Sequence, residues 1–176
     1  MLFEGKIVMI KSRIKNGSVL DKMSKYGFHR IAEWTKKELD ELQSLSKEPI
    51  CLALANGDYI VATHKVVKLA PGEGWRVEGL HFTSKSSAIF YVSLTHIGKL
   101  KEAKDILTAD NRVATLESER AFFRNRLDQA HVQLDEFKIG LFSSRYAETK
   151  NNLVQARAEL AKTIALAEHR LKQCIY

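Results

Sequence analysis

The fold of this chain is decided by a stretch of its C-terminal half, VATLESERAFFRNRLDQAHVQLDEFKIGL (residues 113–141). Its apolar residues recur at alternating spacings of three and four, which buries one stripe of a helix against a second helix. The spacing returns farther along, and residues 97–176 contain no proline and only two glycines. We therefore predict two long helical segments in this half of the chain, each of which needs a partner for its apolar stripe.

Two rows of positions carry this spacing. The first row comprises Val113, Leu116, Arg120, Phe123, Leu127, Ala130, Leu134, Phe137 and Leu141. The second row comprises Tyr146, Lys150, Leu153, Arg157, Leu160, Ile164, Ala167, Leu171 and Cys174. Tyr146 lies five positions after Leu141, where a continuing stripe needs a step of three or four, so the two rows do not belong to one regular helix.

The step between the rows coincides with Gly140, a poor helix former, and with Ser143 and Ser144, which can cap a new helix. The arms on either side are matched in length, since one covers 113–137 and the other 146–171. Matched arms around such a break favour an antiparallel helical hairpin, that is, an antiparallel coiled coil. The alternative is one continuous, kinked helix that dimerises along its length.

The predicted loop contains apolar residues, although connecting segments are normally polar. Ile139, Leu141 and Phe142 lie in or beside it. Exposed apolar side chains at the end of a helical hairpin suggest a contact surface, so we predict that these three residues bind a protein partner. The alternative is that they fold back and close the end of the hairpin.

The first part of the chain reads as a mixture of strands and helices. Residues 6–11 are typical of a strand, and Ser18 can cap a short helix that Gly27 ends. A second helix is predicted over 29–45, with charged residues on its outer face. Two helices joined near a glycine faintly resemble a helix-turn-helix arrangement.

After Pro49 the apolar pattern alternates in steps of two, which predicts strands. Asn56-Gly57 between two apolar runs is the strongest short-range signal for a β-hairpin. A two-residue turn there places Leu54 opposite Tyr59 and Leu52 opposite Val61.

Further strands are predicted over 75–77 and 88–92. The fold class is therefore α+β: a small antiparallel sheet of four to six strands with two helices, followed by the long helical hairpin. We place the boundary between a basic α+β domain, 1–96, and a coiled-coil hairpin, 97–176.

The charge of the chain permits a nucleic-acid partner without requiring one. The net charge is +7, and residues 1–100 carry 15 Lys and Arg against 10 Asp and Glu. The candidate nucleic-acid contacts are the cations of the two predicted N-terminal helices, Lys22, Lys25, Arg30, Lys36 and Lys37. Acidic residues crowd the second of these helices and oppose binding to phosphates.

No catalytic or metal-binding motif stands out. The six histidines and two cysteines lack the spacing of a metal site, and Pro71-Gly72-Glu73-Gly74 lacks the residues of a phosphate loop. Two distant cysteines fit a reducing compartment, and early charges interrupt the N-terminal apolar residues. We therefore expect no cofactor, no signal peptide and no membrane span, and a cytoplasmic protein.

These observations predict a non-enzymatic binding protein, an adaptor, assembly factor or inhibitor that occludes or bridges a macromolecular partner. Apolar residues left over on the arms, among them Phe122 and Leu107, further predict a homodimer formed through the helical region. The alternative is a nucleic-acid-binding protein that uses the basic N-terminal domain.

Overall fold

The computed structural model describes residues 35–44, 46–54 and 56–173. The strand predicted over 6–11, the helix after Ser18, the first part of the helix predicted over 29–45 and the candidate residues Lys22, Lys25 and Arg30 lie outside the described residues. The elements, numbered along the chain, are α1 (Lys36–Ser44), β1 (Cys51–Ala53), β2 (Tyr59–Val61), β3 (His64–Lys68), β4 (Trp75–Val77), β5 (Leu80–Phe82), α2 (Lys85–His96), α3 (Leu100–Val132) and α4 (Glu136–Gln173).

The five strands form an antiparallel meander in which each strand pairs with the next along the chain. This confirms the predicted antiparallel sheet and the α+β fold class. Strand β5 was not predicted. It follows β4 through Glu78 and Gly79, both left-handed at φ 45° and 84°, which is the backbone of a tight two-residue hairpin turn.

The hairpin at Asn56-Gly57 exists, but its predicted register is wrong by one residue. Leu52 lies opposite Ile60, and Ala53 lies opposite Tyr59. The loop holds one residue more than a two-residue turn, because the Leu54 N–H donates to the Asp58 carbonyl at 2.8 Å. Gly57, at φ 88°, supplies the left-handed residue that such three-residue loops need. The shift brings Leu52 and Ile60 to one face of the sheet.

Helices cover both faces of this sheet. On one face, Leu39 and Leu42 of α1 pack with Leu52 and Ile60. The end of α1 is tied down by the buried Gln43, whose amide oxygen accepts the Ile50 N–H at 2.9 Å. On the other face, residues of β2 to β5 pack against α2, namely Val61, Val66, Val77 and Phe82 against Ala88, Ile89 and Val92.

Residues 88–92, predicted as a strand, belong to helix α2. The Ser84 hydroxyl starts the helix by accepting the Ser87 N–H at 3.1 Å. The helix is buried on two opposite sides, since Ile89 packs against the sheet while Phe90 packs against α3 and α4. A helix enclosed in this way is apolar nearly all round, so its sequence lacks the helical period and imitates a buried strand.

The C-terminal half forms an antiparallel helical hairpin, as predicted, and not one continuous helix. We call this hairpin, α3 with α4, the stalk. Its inner face contains Val113 of α3 against Leu153, Ala156 and Leu160 of α4. Ion pairs on its edges join the two arms, including Arg112–Glu159 at 2.8 Å and Glu117–Arg157 at 2.6 Å.

The turn of the stalk lies at residues 133–135, so the predicted break at Gly140 is wrong. Gly140, Ser143 and Ser144 are all inside α4. The apolar stripe of α4 runs without a slip, because Thr149 and Ala156 occupy the buried positions instead of the exposed Lys150 and Arg157. The five-residue step in the sequence pattern arose because the exposed Leu141 was assigned to the stripe in place of the half-buried Phe142, which lies four residues before Tyr146.

Helix α2 joins the sheet to the base of the stalk. Phe90 and Leu94 of α2 pack with Ala103 and Ile106 of α3 and with Ala167 of α4. The stalk thus begins firmly packed and extends away from the sheet, since α3, with 33 residues, is about 50 Å long. Within the described ranges, no helix combines the length and hydropathy needed to cross a membrane.

Candidate contact surface at the hairpin tip

Four apolar side chains are exposed where the stalk turns back. Val132 is 85% exposed, Leu134 84%, Phe137 81% and Leu141 46%. We call these four residues the tip. Together they present an apolar area on the order of 500 Å², near the upper end of the largest patch that a monomeric protein ordinarily exposes. The largest exposed apolar patch of a monomer is often functional, so the tip is the candidate contact surface of the described residues.

The end of α3 explains how the turn is built. The Leu134 N–H donates to the His131 carbonyl at 3.2 Å, and the Asp135 N–H donates to the Ala130 carbonyl at 3.1 Å. This pair of hydrogen bonds is a Schellman motif, in which the residue directly after the C-cap adopts the left-handed conformation and is usually glycine. Here that residue is Leu134, at φ 56°. A leucine is strained in this conformation, whereas a glycine is not.

The beginning of α4 holds the turn from the other side. The Asp135 carboxylate accepts the Lys138 backbone N–H at 3.0 Å and lies 2.9 Å from the Lys138 ammonium. Asp135 therefore caps the helix, and the exposed Glu136 follows in its first turn. The hydrogen bonds from the Lys138 side chain, and then from its backbone N–H, lower the pKa of Asp135. The turn is fixed at both helix ends.

The lowered pKa of Asp135 predicts that the stalk loses stability in acid. A carboxyl whose folded pKa lies below its unfolded pKa stabilises the folded state above the unfolded value, near pH 4, and this contribution disappears as the pH falls through the folded pKa. Asp135→Asn retains a capping oxygen but cannot titrate. We expect urea unfolding of this variant to depend less on pH below about pH 4 than unfolding of the wild type.

Some acid sensitivity will remain in Asp135→Asn. Glu102 also has a lowered pKa, first because its own backbone N–H donates to the carboxylate and then because Arg170 does. Identical pH profiles for Asp135→Asn and the wild type would contradict the capping role of the Asp135 carboxylate.

The three predicted contact residues lie in the first turns of α4 and not in a loop. Ile139 and Phe142 are half-buried. They continue the inner stripe of α4 at the same three-and-four spacing as the half-buried Tyr146 and the buried Thr149. Leu141 points outward and belongs to the tip. A contact role for the predicted trio stays a prediction, and of the three only Leu141 is exposed, one helical turn after Phe137 on α4.

Sequence reasoning missed Val132, Leu134 and Phe137 as exposed residues. Leu134 and Phe137 continue the spacing of the first row, so they look like buried positions until the turn is located. A signal for the turn was nevertheless present, because Asp135 followed by Glu136 is typical of the start of a helix.

The candidate nucleic-acid residues are only partly within the described chain. Lys36 and Lys37 are exposed on α1. Asp40 and Glu41 are exposed on the same helix, so this surface is of mixed charge. A nucleic-acid role for this surface stays a prediction.

The residues predicted to drive self-association differ in accessibility. Leu107 packs against the cluster between the sheet and α2, so it is not left over on the stalk. Phe122 is 50% exposed, with the Phe123 ring 5.4 Å away edge-on and the Arg126 guanidinium 5.3 Å from its ring centre. Of the two residues, only Phe122 remains available for a second copy.

The described part of the chain holds no group of three or more His, Cys, Asp or Glu residues that could bind a metal ion. The tip itself is apolar. The tip can therefore bind by the hydrophobic effect, through burial of its apolar side chains in a complementary pocket.

Comparisons of this chain with protein families, curated proteins and solved structures find no match.

Proposed function

We propose that the chain is a non-enzymatic binding protein, an adaptor, assembly factor or inhibitor, whose stalk presents the tip to a protein partner. The observation that carries the proposal is Leu134, an apolar residue that is both 84% exposed and strained in the left-handed conformation. Leu134 breaks two regularities at one position, because large apolar side chains are usually buried and the left-handed conformation is usually left to glycine. Such departures concentrate at functional sites.

Within the chain itself, leucine has no advantage at this position. A glycine would complete the same Schellman motif without strain, and an asparagine would tolerate the conformation better. The Leu134 side chain gains little from burial in the monomer because it is mostly in water. Burial against a partner would supply the missing stabilisation, about 1.5–3 kcal/mol for a fully buried leucine.

The stalk suits the presentation of such a contact. Leu134 and Phe137 lie at the end of a pair of helices about 50 Å long, whose arms are joined by a buried stripe and ion pairs. The turn is capped on both sides, so little conformational freedom is lost on binding. Preorganisation of this kind raises affinity without enlarging the contact.

The size of the tip defines the form of the contact. A standard protein interface buries about 800 Å² on each partner, more than the tip offers. A few apolar anchors that enter a pocket can nevertheless carry most of the binding energy. We therefore propose that the partner is concave and apolar where it receives Leu134 and Phe137. The tip would then occlude this pocket of the partner.

The proposal places the protein in a reducing compartment such as the cytoplasm, because its two cysteines, Cys51 and Cys174, lie far apart in the sequence and form no disulfide-type pattern. A homodimer formed through Phe122 is a separate proposal. Light scattering after gel filtration at micromolar concentration measures that separately.

Site-specific photo-crosslinking in the native cell tests the proposal. A benzophenone amino acid at position 137 should give a discrete crosslinked protein. The same residue at position 166, exposed at the base of the stalk, should not. Crosslinks to nucleic acid from either position would favour the nucleic-acid alternative, and the absence of a product specific to position 137 would refute a contact at the tip.

A further inference from the structure

The ion pairs between the arms of the stalk change character along its length. At the base and in the middle, the facing side chains have opposite charges: Glu102 with Arg170, Arg112 with Glu159 and Glu117 with Arg157. These pairs define which residues of α3 face which residues of α4 on each edge.

One heptad closer to the tip, the charges no longer match. In a coiled coil, positions seven residues apart occupy equivalent places. Arg124 is seven residues beyond Glu117, and Lys150 is seven residues before Arg157, so two cations stand where the previous heptad has an ion pair. On the other edge, one heptad beyond the pair Arg112–Glu159, Glu119 stands opposite Asn152. A second heptad places two more cations opposite each other, Arg126 and Arg145.

The second of these cation pairs is compensated within the chain. Arg145 forms an ion pair with Glu148 at 3.2 Å, and Arg126 lies over the Phe122 ring. The first pair is not compensated in this way.

Arg124 and Lys150 are exposed, and neither they nor the half-buried Arg120 makes a hydrogen bond or ion pair with any residue the structure describes. We call Arg120, Arg124 and Lys150 the cation zone.

The cation zone lowers the stability of the isolated stalk. Arg120 and Arg124 are four residues apart on one helix, and Lys150 faces them from the other arm, so the zone combines like charges on neighbouring positions. A glutamate at position 124 would restore the pattern of the preceding heptad. The chain instead carries a surface of net positive charge about 15 Å behind Leu134 along α3, in which Asp128 is the acidic neighbour of Arg124 one helical turn away.

We propose that the cation zone binds a cluster of carboxylates on the same protein partner whose apolar pocket receives the tip. This inference rests on the proposed function. It supplies the second contact that a tip smaller than a standard interface needs, and opposite charges around an apolar anchor provide orientation and faster association. The partner is therefore a protein with an apolar pocket and an acidic surface roughly 15 Å from it.

The charges at the end of the stalk argue against other anionic partners. Asp135 and Glu136 lie among the tip residues, so an anionic membrane would repel the end that must enter it, and burial of their charges in lipid is costly. Three cations are also few for duplex DNA, whose binding proteins commonly neutralise about six to ten phosphates. A protein surface can place its carboxylates selectively beside the cation zone.

Arg124→Glu separates binding from stability in the full-length chain. The substitution replaces repulsion by attraction towards both Arg120 and Lys150, and replaces attraction by repulsion towards Asp128 alone. Two favourable changes outweigh one unfavourable change, so we expect a higher Tm. We expect it to weaken binding of a fluorescent poly-glutamate peptide about tenfold at low salt. Lys162→Glu, which makes the same charge change at an exposed position near the base, should change peptide affinity less than about twofold.

Equal loss of peptide binding in the two variants would overturn the proposal, because net charge alone would then explain it. A Tm that does not rise in Arg124→Glu would overturn the assigned facing of Arg124 and Lys150. Binding of duplex DNA, or of vesicles of phosphatidylserine and phosphatidylcholine, that exceeds peptide binding and is lost in Arg124→Glu would also overturn it.

Phe137→Ser distinguishes this inference from the proposed function. The poly-glutamate peptide has no apolar pocket, so its affinity should be unchanged by Phe137→Ser. Loss of peptide affinity in this variant would overturn a cation zone that acts separately from the tip. If crosslinking from position 137 fails while peptide binding still depends on Arg124, the tip contact is refuted and the anion-binding surface alone is supported.

Discussion

The double substitution Leu134→Gly with Phe137→Ser is expected to weaken partner binding by about a hundredfold or more, without lowering the Tm. Burial of one large apolar side chain supplies about 1.5–3 kcal/mol, so the loss of two anchors removes several kcal/mol from the complex. The folded chain loses little, since both side chains are more than 80% exposed. Glycine at position 134 also relieves the left-handed strain of leucine.

The measurement compares Tm and affinity on the same preparation, with the protein identified by crosslinking at position 137 as the ligand. Leu166→Ser is the matched control, because Leu166 is 64% exposed on α4 but lies near the base of the stalk. A double variant that binds as tightly as the wild type would remove the tip from the functional site. A large fall in its Tm would instead assign the tip a structural role.

Replacement of Asp110 by alanine is expected to lower the free energy of unfolding by about 2–4 kcal/mol. Asp110 lies on α3 and is completely buried. One carboxylate oxygen accepts the Thr83 backbone N–H at 2.8 Å, and the other accepts the Thr83 hydroxyl at 2.7 Å. Thr83 lies between β5 and α2, so these bonds connect the sheet directly to the stalk. Alanine would leave both donors without their acceptor and open a small void.

Asp105→Ala, on an exposed part of the same helix, controls for the loss of an α3 carboxylate. Thr83→Val removes the hydroxyl but keeps the backbone N–H, so a double-mutant cycle with Asp110→Ala isolates the hydroxyl bond. Urea unfolding monitored by tryptophan fluorescence measures each variant. Equal stability of Asp110→Ala and Asp105→Ala would contradict the role of Asp110 as the connection between sheet and stalk.

The division of the chain at residues 96 and 97 stays a prediction, and Asp110 shows what it leaves out. Its partner Thr83 is 27 residues away in sequence. A carboxylate on a helix has no sequence signature that distinguishes an exposed position from one buried against a β-strand. This hydrogen-bonded link between the sheet and the stalk was therefore invisible before the fold was known.

The presence of apolar residues at the end of the stalk was predictable, but which of them are exposed was not. Apolar residues near the end of a helical hairpin were recognisable from sequence, and Leu141 lies in the observed tip. The partial burial of Phe142 and the exposure of Phe137 depend on where α3 ends. That point depends on Leu134, which adopts a conformation that its residue type disfavours. Propensity alone could not place the turn at a leucine when Gly140 was six residues away.

The sequence by itself determined the elements whose signals are local. Alternating three-and-four spacing specifies the helices of the stalk because each residue needs only its neighbours one turn away, and Asn56-Gly57 specifies a hairpin because only the loop must adopt the turn. The tertiary structure decided which arm residues face each other, that residues 88–92 form a helix, and which apolar residues remain in water. These features depend on contacts summed over distant segments. The pairing of Glu117 with Arg157 and the burial of Ile89 and Phe90 on opposite sides of α2 exist only once the sheet and the stalk have packed together.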